Sequence, residues 1–231
     1  MIPLGILASS LRVTTGTAKD PYWDNVVSLL HFDEDLTDSA TGSWSGGSTV
    51  TTSQSVFGGG SLYVNGNTIL RDTAAPLLPL NDDFTFECFV MPISVGSYGG
   101  FVYSQDINSG STRGANIIIG SAGQLLLSCV GYIELGDQSA GAVPYNEWTH
   151  IAATRESNIF RLFANGVIVD QKTYSGSLGS TSTIRPRIGE IAPQIPGGTA
   201  YRGYMDELRI TSGVARYTEN FTPPTAPFPN Q

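Results

Sequence analysis

Apolar residues recur at every second position through much of this chain, and no stretch keeps a 3.6-residue apolar period for three turns. In Asp83–Met91, Phe84, Phe86, Cys88 and Val90 share one face, which is assigned to the core. Val26–Phe32, Ser61–Val64, Gln124–Val130, Trp148–Arg155, Phe160–Ala164, Val167–Val169 and Arg202–Ile210 read as further short strands. Asn65-Gly66 and Asn165-Gly166 mark tight turns, because both residue types tolerate positive φ. Glu156-Ser-Asn158 is a polar turn between two strands, and Asp33–Asp38 is an acidic loop after the first one. Short strands at roughly 8–12-residue spacing predict an all-β, two-sheet antiparallel jelly-roll sandwich. Residues 1–22 read as an extended N-terminal arm, 23–217 as the sandwich domain, and 218–231 as a Pro-rich tail packing on it.

Composition narrows what such a sandwich does. The chain is 40% hydrophobic, enough for a real core, but only 14% charged, against roughly a quarter in an average globular protein. Its formal charge of −8 argues against nucleic acid and anionic lipid as partners, since both need a basic patch. No apolar run approaches the ~20 residues that span a bilayer, so membrane insertion is not expected. Met1–Ser10 lacks a positive start and is interrupted by Pro3, so it reads as an arm rather than a cleaved signal. Cys88 and Cys129 have no metal-ligand spacing; they are either two buried free thiols or one inter-strand disulfide.

The succession Leu29–Asp33, Phe57–Leu62, Asp83–Glu87, Trp148–Ala152, Arg161–Gly166, Ile188-Gly189 and Gly203–Ile210 resembles the laminin-G-like, concanavalin A-like lectin/glucanase superfamily, over roughly residues 22–229. Gly213–Thr218, Asn220–Pro224 and Ala226–Pro229 are similar to the ending of such modules in tailed-bacteriophage virion proteins, and Pro3–Ser10 to their beginning. The resemblance implies a jelly roll of 12 to 14 strands that binds glycans or proteins in many members. It also implies a place on the external surface of a virion made in the host cytoplasm. Other virion proteins of the tail or capsid and a host-surface glycan are then the expected partners; the sequence has no coiled-coil heptads or collagen-like triplets to enforce an oligomer, and both a single copy and an oligomer stay open.

Glycosidases on this fold use two carboxylates on one strand, about 5–5.5 Å apart for retention. Glu34 and Asp35 lie in a loop, while Glu134 with Asp137, and Asp206 with Glu207, are spaced to fall on opposite strand faces. His31 and His150 sit inside strands without a nucleophile motif. The expectation is a non-enzymatic protein with no catalytic residues. The resemblance places a structural calcium ion at Asp33 and Asp206; the alternative is that Asp33 caps a turn and Asp206 binds Arg or backbone N–H groups. No other cofactor is expected.

Glycan binding calls for exposed aromatic faces beside planar polar groups. Trp44 and Tyr98 in Gly-rich loops, with Tyr132 and Tyr145, are the candidates, unless these rings fold over the sandwich edge or meet another subunit. Trp148 reads as core, and Trp23 as a staple between arm and domain. The uncharged run containing Ile2, Pro3, Leu4, Ile6 and Leu7 suits docking along a neighbour's groove or sheet edge. On the strength of the resemblance, the leading expectation is a tail-associated virion module (fibre, tail tip or baseplate) for adhesion. Capsid decoration and a free lectin-like module are the alternatives.

Overall fold

Phe84, Phe86, Cys88 and Val90 all face a common interior in a computed structural model, as their alternation predicts. The structure describes residues 19–105, 114–129, 133–137, 139–178, 185–189 and 200–231. The docking residues Ile2, Pro3, Leu4, Ile6 and Leu7 lie outside the described residues, as does Tyr132.

One 3-10 turn, Trp23–Asn25, precedes fifteen strands among the described residues, and there is no α-helix among them. The strands are β1 (Val26–Leu30), β2 (Trp44–Gly46), β3 (Thr49–Thr51), β4 (Ser61–Asn65), β5 (Ile69–Arg71), β6 (Phe84–Val95), β7 (Gly100–Gln105) and β8 (Ala115–Ile119). They continue with β9 (Leu125–Cys129), β10 (Ile133–Leu135), β11 (Thr149–Glu156), β12 (Ile159–Ala164), β13 (Val167–Thr173), β14 (Arg187–Ile188) and β15 (Tyr201–Ser212). An eight-stranded antiparallel sheet runs β13-β12-β11-β6-β15-β4-β3, with β1 also on β15; a seven-stranded one runs β10-β9-β8-β7-β14-β5-β2. This is the jelly-roll sandwich that the periodicity predicts.

Inward residues of both sheets meet in one core. Leu62, Phe86, Ile151, Leu162 and Ile210 of the larger sheet join Ile69, Tyr103, Ile117, Leu127 and Ile133 of the smaller. Each fully buried side chain of this size stabilises the fold by roughly 1.5–3 kcal/mol. The Asn165-Gly166 turn has φ of 47° and 77°, the pair of positive angles that matches the strand twist of the β12–β13 hairpin. Cys88 and Cys129 are free and buried in the core, and burial pushes both thiols up, Cys129 to about 12. Trp148 differs from expectation: it is half-buried, because β11 and its pairing with β6 begin only at Thr149.

The outer face of the larger sheet carries a buried charge network covered by the tail. Arg209 donates to Glu87 Oε1 through Nε and Nη2 at 2.9 and 2.8 Å, and to Asp20 through Nη1 at 2.9 Å. Arg216 donates to both oxygens of Asp20, and the Tyr217 hydroxyl to Glu87 Oε2 at 2.8 Å. Phe221 stacks on Tyr217 with ring centroids 3.6 Å apart, and Phe228 lies 3.8 Å from the Arg209 guanidinium carbon. Trp23 packs with Val26, Leu29 and Phe228, so it fastens the tail to β1. Asp20 N–H donates to the Gln231 carbonyl at 2.7 Å, so the two ends of the described chain meet.

Candidate functional site

Asp33, Asp206 and Glu207 meet the larger sheet at one discontinuity. Along a single edge of β15, β1 pairs with Leu208–Thr211 and β4 with Arg202–Met205. The changeover falls at Asp206-Glu207, where β15 bulges against β6: Asp206 faces Phe89, but Arg209 faces Glu87. Met205 and Leu208 both point into the core, so the extra residue turns Asp206 and Glu207 together away from it. Strict alternation places these two carboxylates on opposite faces; the bulge, with Glu207 at φ 50°, overrides that expectation.

Asp206 Oδ2 accepts the backbone N–H groups of Val56 and Phe57 at 2.7 and 3.2 Å. Asp33 Oδ1 accepts that of Gly59 at 2.9 Å. Both predicted metal residues thus hold the loop before β4. Gly58, at φ 56°, runs so close that any Cβ would strike the Asp33 carboxylate. Burial pushes the Asp206 carboxyl up to about 6 against those two hydrogen bonds, and neighbouring Glu207 adds to the rise. Its Oδ1 is buried without a partner. An orphaned carboxylate oxygen is one ligand of the six to eight that a calcium ion takes, and Asp33 already serves a turn. Among the described residues there is no cluster of three or more His, Cys, Asp or Glu able to hold a metal.

His31 occupies the same junction. Its Nδ1 lies 2.8 and 2.9 Å from the two Glu207 oxygens and its Nε2 2.7 Å from Asn230 Oδ1. The Glu207 hydrogen bond raises it to about 9 despite burial, with Asn230 assisting, so the ring is an imidazolium at neutral pH. A ring holding both protons is no general base. Glu207 also accepts the Phe228 N–H at 2.9 Å.

Trp44 is not an exposed platform. It is 5% exposed, and its indole N–H donates to Asp38 Oδ2 at 3.2 Å. Gly and Ser on either side resemble a loop, but β2 pairs with β5 through Trp44 and Arg71, which turns the ring into the core.

Tyr98 is 72% exposed at the tip of the β6–β7 turn. Gly99 in that turn approaches Ile118 so closely that an added Cβ would lie 2.7 Å from its Cγ2. Ile118 begins an outward row on the smaller sheet, since it pairs with Phe101 of β7 and Leu126 of β9. Beside it, pairing aligns a polar row, Ser104–Asn116–Ser128–Glu134, across β7 to β10. Phe101, Ser104, Asn116 and Ile118 are buried, while Leu126 and Ser128 are half-buried and Glu134 is exposed. At the open end, Ile118, Leu126, Ser128, Glu134, Leu135 and Asp137 line a depression of about 150 Å³. Glu134 and Asp137 therefore share one hollow, contrary to their spacing, because β10 stops at Leu135 and Gly136 turns the chain at φ 106°. Tyr145 is half-buried and braces this end: its hydroxyl donates to the Gly120 and Ser121 carbonyls at 3.3 and 3.4 Å. The loop carrying it is tied to β6 by the Asn146 N–H on the Pro92 carbonyl, 2.7 Å.

Sequence patterning alone does not single out Ser104, Asn116, Ile118, Leu126 or Ser128. The available signal is Ala115–Ile119, a β-branched run whose outward positions are Asn116 and Ile118.

Comparison with known proteins agrees with this architecture. The family model for the concanavalin A-like lectin/glucanases superfamily matches residues 65–219, and the chain belongs to that superfamily. No curated protein sequence matches. Among solved structures, domain 4 of AbnA, an extracellular arabinanase of Geobacillus stearothermophilus solved with arabinotriose, is similar at TM-score 0.62 and 16% identity. That alignment covers 81% of this chain and 92% of the other. The binding domain of Paraclostridial Mosquitocidal Protein 1 is similar at TM-score 0.61 and 13% identity, over 87% of this chain and 50% of that one. The binding domain of botulinum neurotoxin serotype C1 follows at TM-score 0.55 and 14% identity, over 82% and 49%. At these identities the likeness establishes the fold.

Proposed function

We propose that this chain is a non-enzymatic carbohydrate-binding module that serves adhesion on the outside of a bacteriophage virion, as part of a tail fibre, tail tip or baseplate. The binding reading rests on one observation: Tyr98 is exposed in the turn that Gly99 seats on Ile118, and Ile118 lines a hollow shared with Ser128, Glu134 and Asp137. An aromatic face next to apolar ground and fixed polar groups is the surface a sugar ring needs. The arabinanase domain solved with arabinotriose supports the same reading. Asp206 and Glu207 are both engaged in fastening the fold, which supports a non-enzymatic role. The virion setting rests on the likeness of both chain ends to phage modules. A structural calcium belongs to the proposal: Asp206 and Asp33, which hold the same loop at different N–H groups, would contribute to it, and its charge would fix the loop before β4.

Two measurements test the proposal. The purified chain should bind saturably on an array of bacterial surface polysaccharides that includes arabinan. Tyr98→Ala should weaken that binding roughly tenfold at an unchanged melting temperature. No bound polysaccharide, or equal binding by the variant, overturns the adhesion reading. Immunogold labelling of intact particles should decorate the tail; label spread over the capsid overturns the tail placement.

A further inference from the structure

A hollow of about 480 Å³ lies at the end of the sandwich remote from Tyr98. There β6 begins, β11 turns into β12, and β15 ends, for Phe84 pairs with both Arg155 and Ser212. Its wall is polar: Asp82, Asp83, Arg155, Ser157, Asn158 and Ser212. Arg155 is 5% exposed and fixed, its Nη1 donating to the Leu80 carbonyl at 2.6 Å and to that of Asp82 at 3.3 Å. Its Nε is buried with no partner. Asp83 holds the rim together, its Oδ1 accepting the Ser157 N–H at 2.5 Å and its carbonyl the Gly213 N–H at 2.7 Å. Asp82 and Asn158 are exposed.

We propose that this cup is a second carbohydrate site, which takes a neutral sugar through adjacent hydroxyl groups. A guanidinium donor held in place, a carboxylate acceptor and a carboxamide that does both form the hydrogen-bonding complement of a vicinal diol. Two carboxylates against one guanidinium leave the cup net negative, which disfavours uronic and sialic acids. No aromatic residue lines it, so hydrogen bonds alone hold the sugar and each contact is weak. Value comes from placement: with the Tyr98 surface at the other end, two weak contacts on one polysaccharide reinforce each other. The inference extends the carbohydrate reading to a second place and does not depend on Tyr98.

The test is a backbone-amide NMR titration of the full chain with galactose, glucose, arabinotriose, glucuronate and, separately, calcium chloride. At least one neutral sugar should shift Ser157, Asn158 and Gly213 saturably, and glucuronate should bind more weakly than that sugar. The double variant Asp82→Ala, Asn158→Ala should retain its dispersed spectrum and bind roughly tenfold more weakly. Tyr98→Ala should leave the cup shifts unchanged, so loss of either site is read separately. The proposal fails if all three neutral sugars leave these amides unmoved, if glucuronate binds as well, if calcium alone reproduces the shifts, or if the double variant binds normally.

Discussion

Asp33 and Asp206, from opposite ends of the sequence, hold one loop: the first accepts the Gly59 N–H and the second those of Val56 and Phe57. They do so where β1 hands the edge of β15 to β4, so the loop closes a gap in the larger sheet. The cost is a buried Asp206 Oδ1 without a partner.

A cation at that oxygen relieves the cost, so calcium should raise the melting temperature and excess chelator should lower it. Asp206→Asn should be less stable than the parent and should no longer respond to either addition. Identical melting curves with calcium and chelator, in a protein free of metal by elemental analysis, would remove calcium from the account.

His31 predicts an alkaline limit. Its folded value near 9 lies above the ~6.5 of an unfolded histidine, so its contribution is complete below about pH 6.5 and fades as pH rises through 9. Melting temperature should therefore fall between about pH 6.5 and 9, and His31→Gln should flatten that fall. Imidazole resonances of His31 should titrate near 9; a midpoint near 6.5 would show that Glu207 and Asn230 do not hold the ring as a cation.

The acid limit has the opposite sign. Burial works against ionisation of Glu87, but Arg209, His150 and Arg216 together hold it at about 2. Asp20 is likewise held below its usual range, against burial, by Arg216, the Tyr22 N–H and Arg209. Carboxylates lowered on folding contribute above about pH 4.5 and lose that contribution as pH falls toward 2. Glu87→Gln should cost on the order of 3 kcal/mol near neutrality, by leaving Arg209 buried beside a neutral partner, and should flatten the acid slope. An unaltered slope in the variant would assign acid sensitivity to other groups.

What the sequence discloses divides along a physical line. Period-two alternation follows from strand geometry, so it assigns Phe84, Phe86, Cys88 and Val90 inward by itself. Residues whose direction is set by a break in that geometry escape it. Asp206 and Glu207 turn the same way because of a bulge, and Asp137 rejoins the face of Glu134 because of Gly136. The Gly-rich context of Trp44 speaks for exposure, but pairing of β2 with β5 decides the ring's direction. Tyr98 is legible as an exposed loop aromatic. The hollow lined by Ile118, Leu126 and Glu134 is not, because those residues become neighbours only through strand order.

Asp38 shows how much of the fold one side chain can carry, and so offers a sharp mutational test. Its Oδ1 accepts the N–H groups of Leu29 and Ala40, both at 3.0 Å, and of Thr41 at 3.3 Å. Its Oδ2 accepts the Ser28 hydroxyl at 2.7 Å and the Trp44 indole N–H at 3.2 Å, with Arg71 Nη1 3.8 Å away. One fully buried carboxylate thus ties β1 to the entry of β2. Asp38→Ala would strand several of these donors inside the protein, each at roughly 1–3 kcal/mol before relaxation, and would leave Arg71 without its ion pair. A net loss of about 3 kcal/mol in urea unfolding is expected, with a red shift of tryptophan emission as Trp44 gains water. Asp38→Asn keeps an acceptor oxygen and should lose less. The polysaccharide binding proposed for Tyr98, in the β6–β7 turn, should survive in whatever fraction stays folded. A variant within about 0.5 kcal/mol of the parent would mean that water can take over these donors, and that Asp38 is a convenience of the loop rather than its anchor.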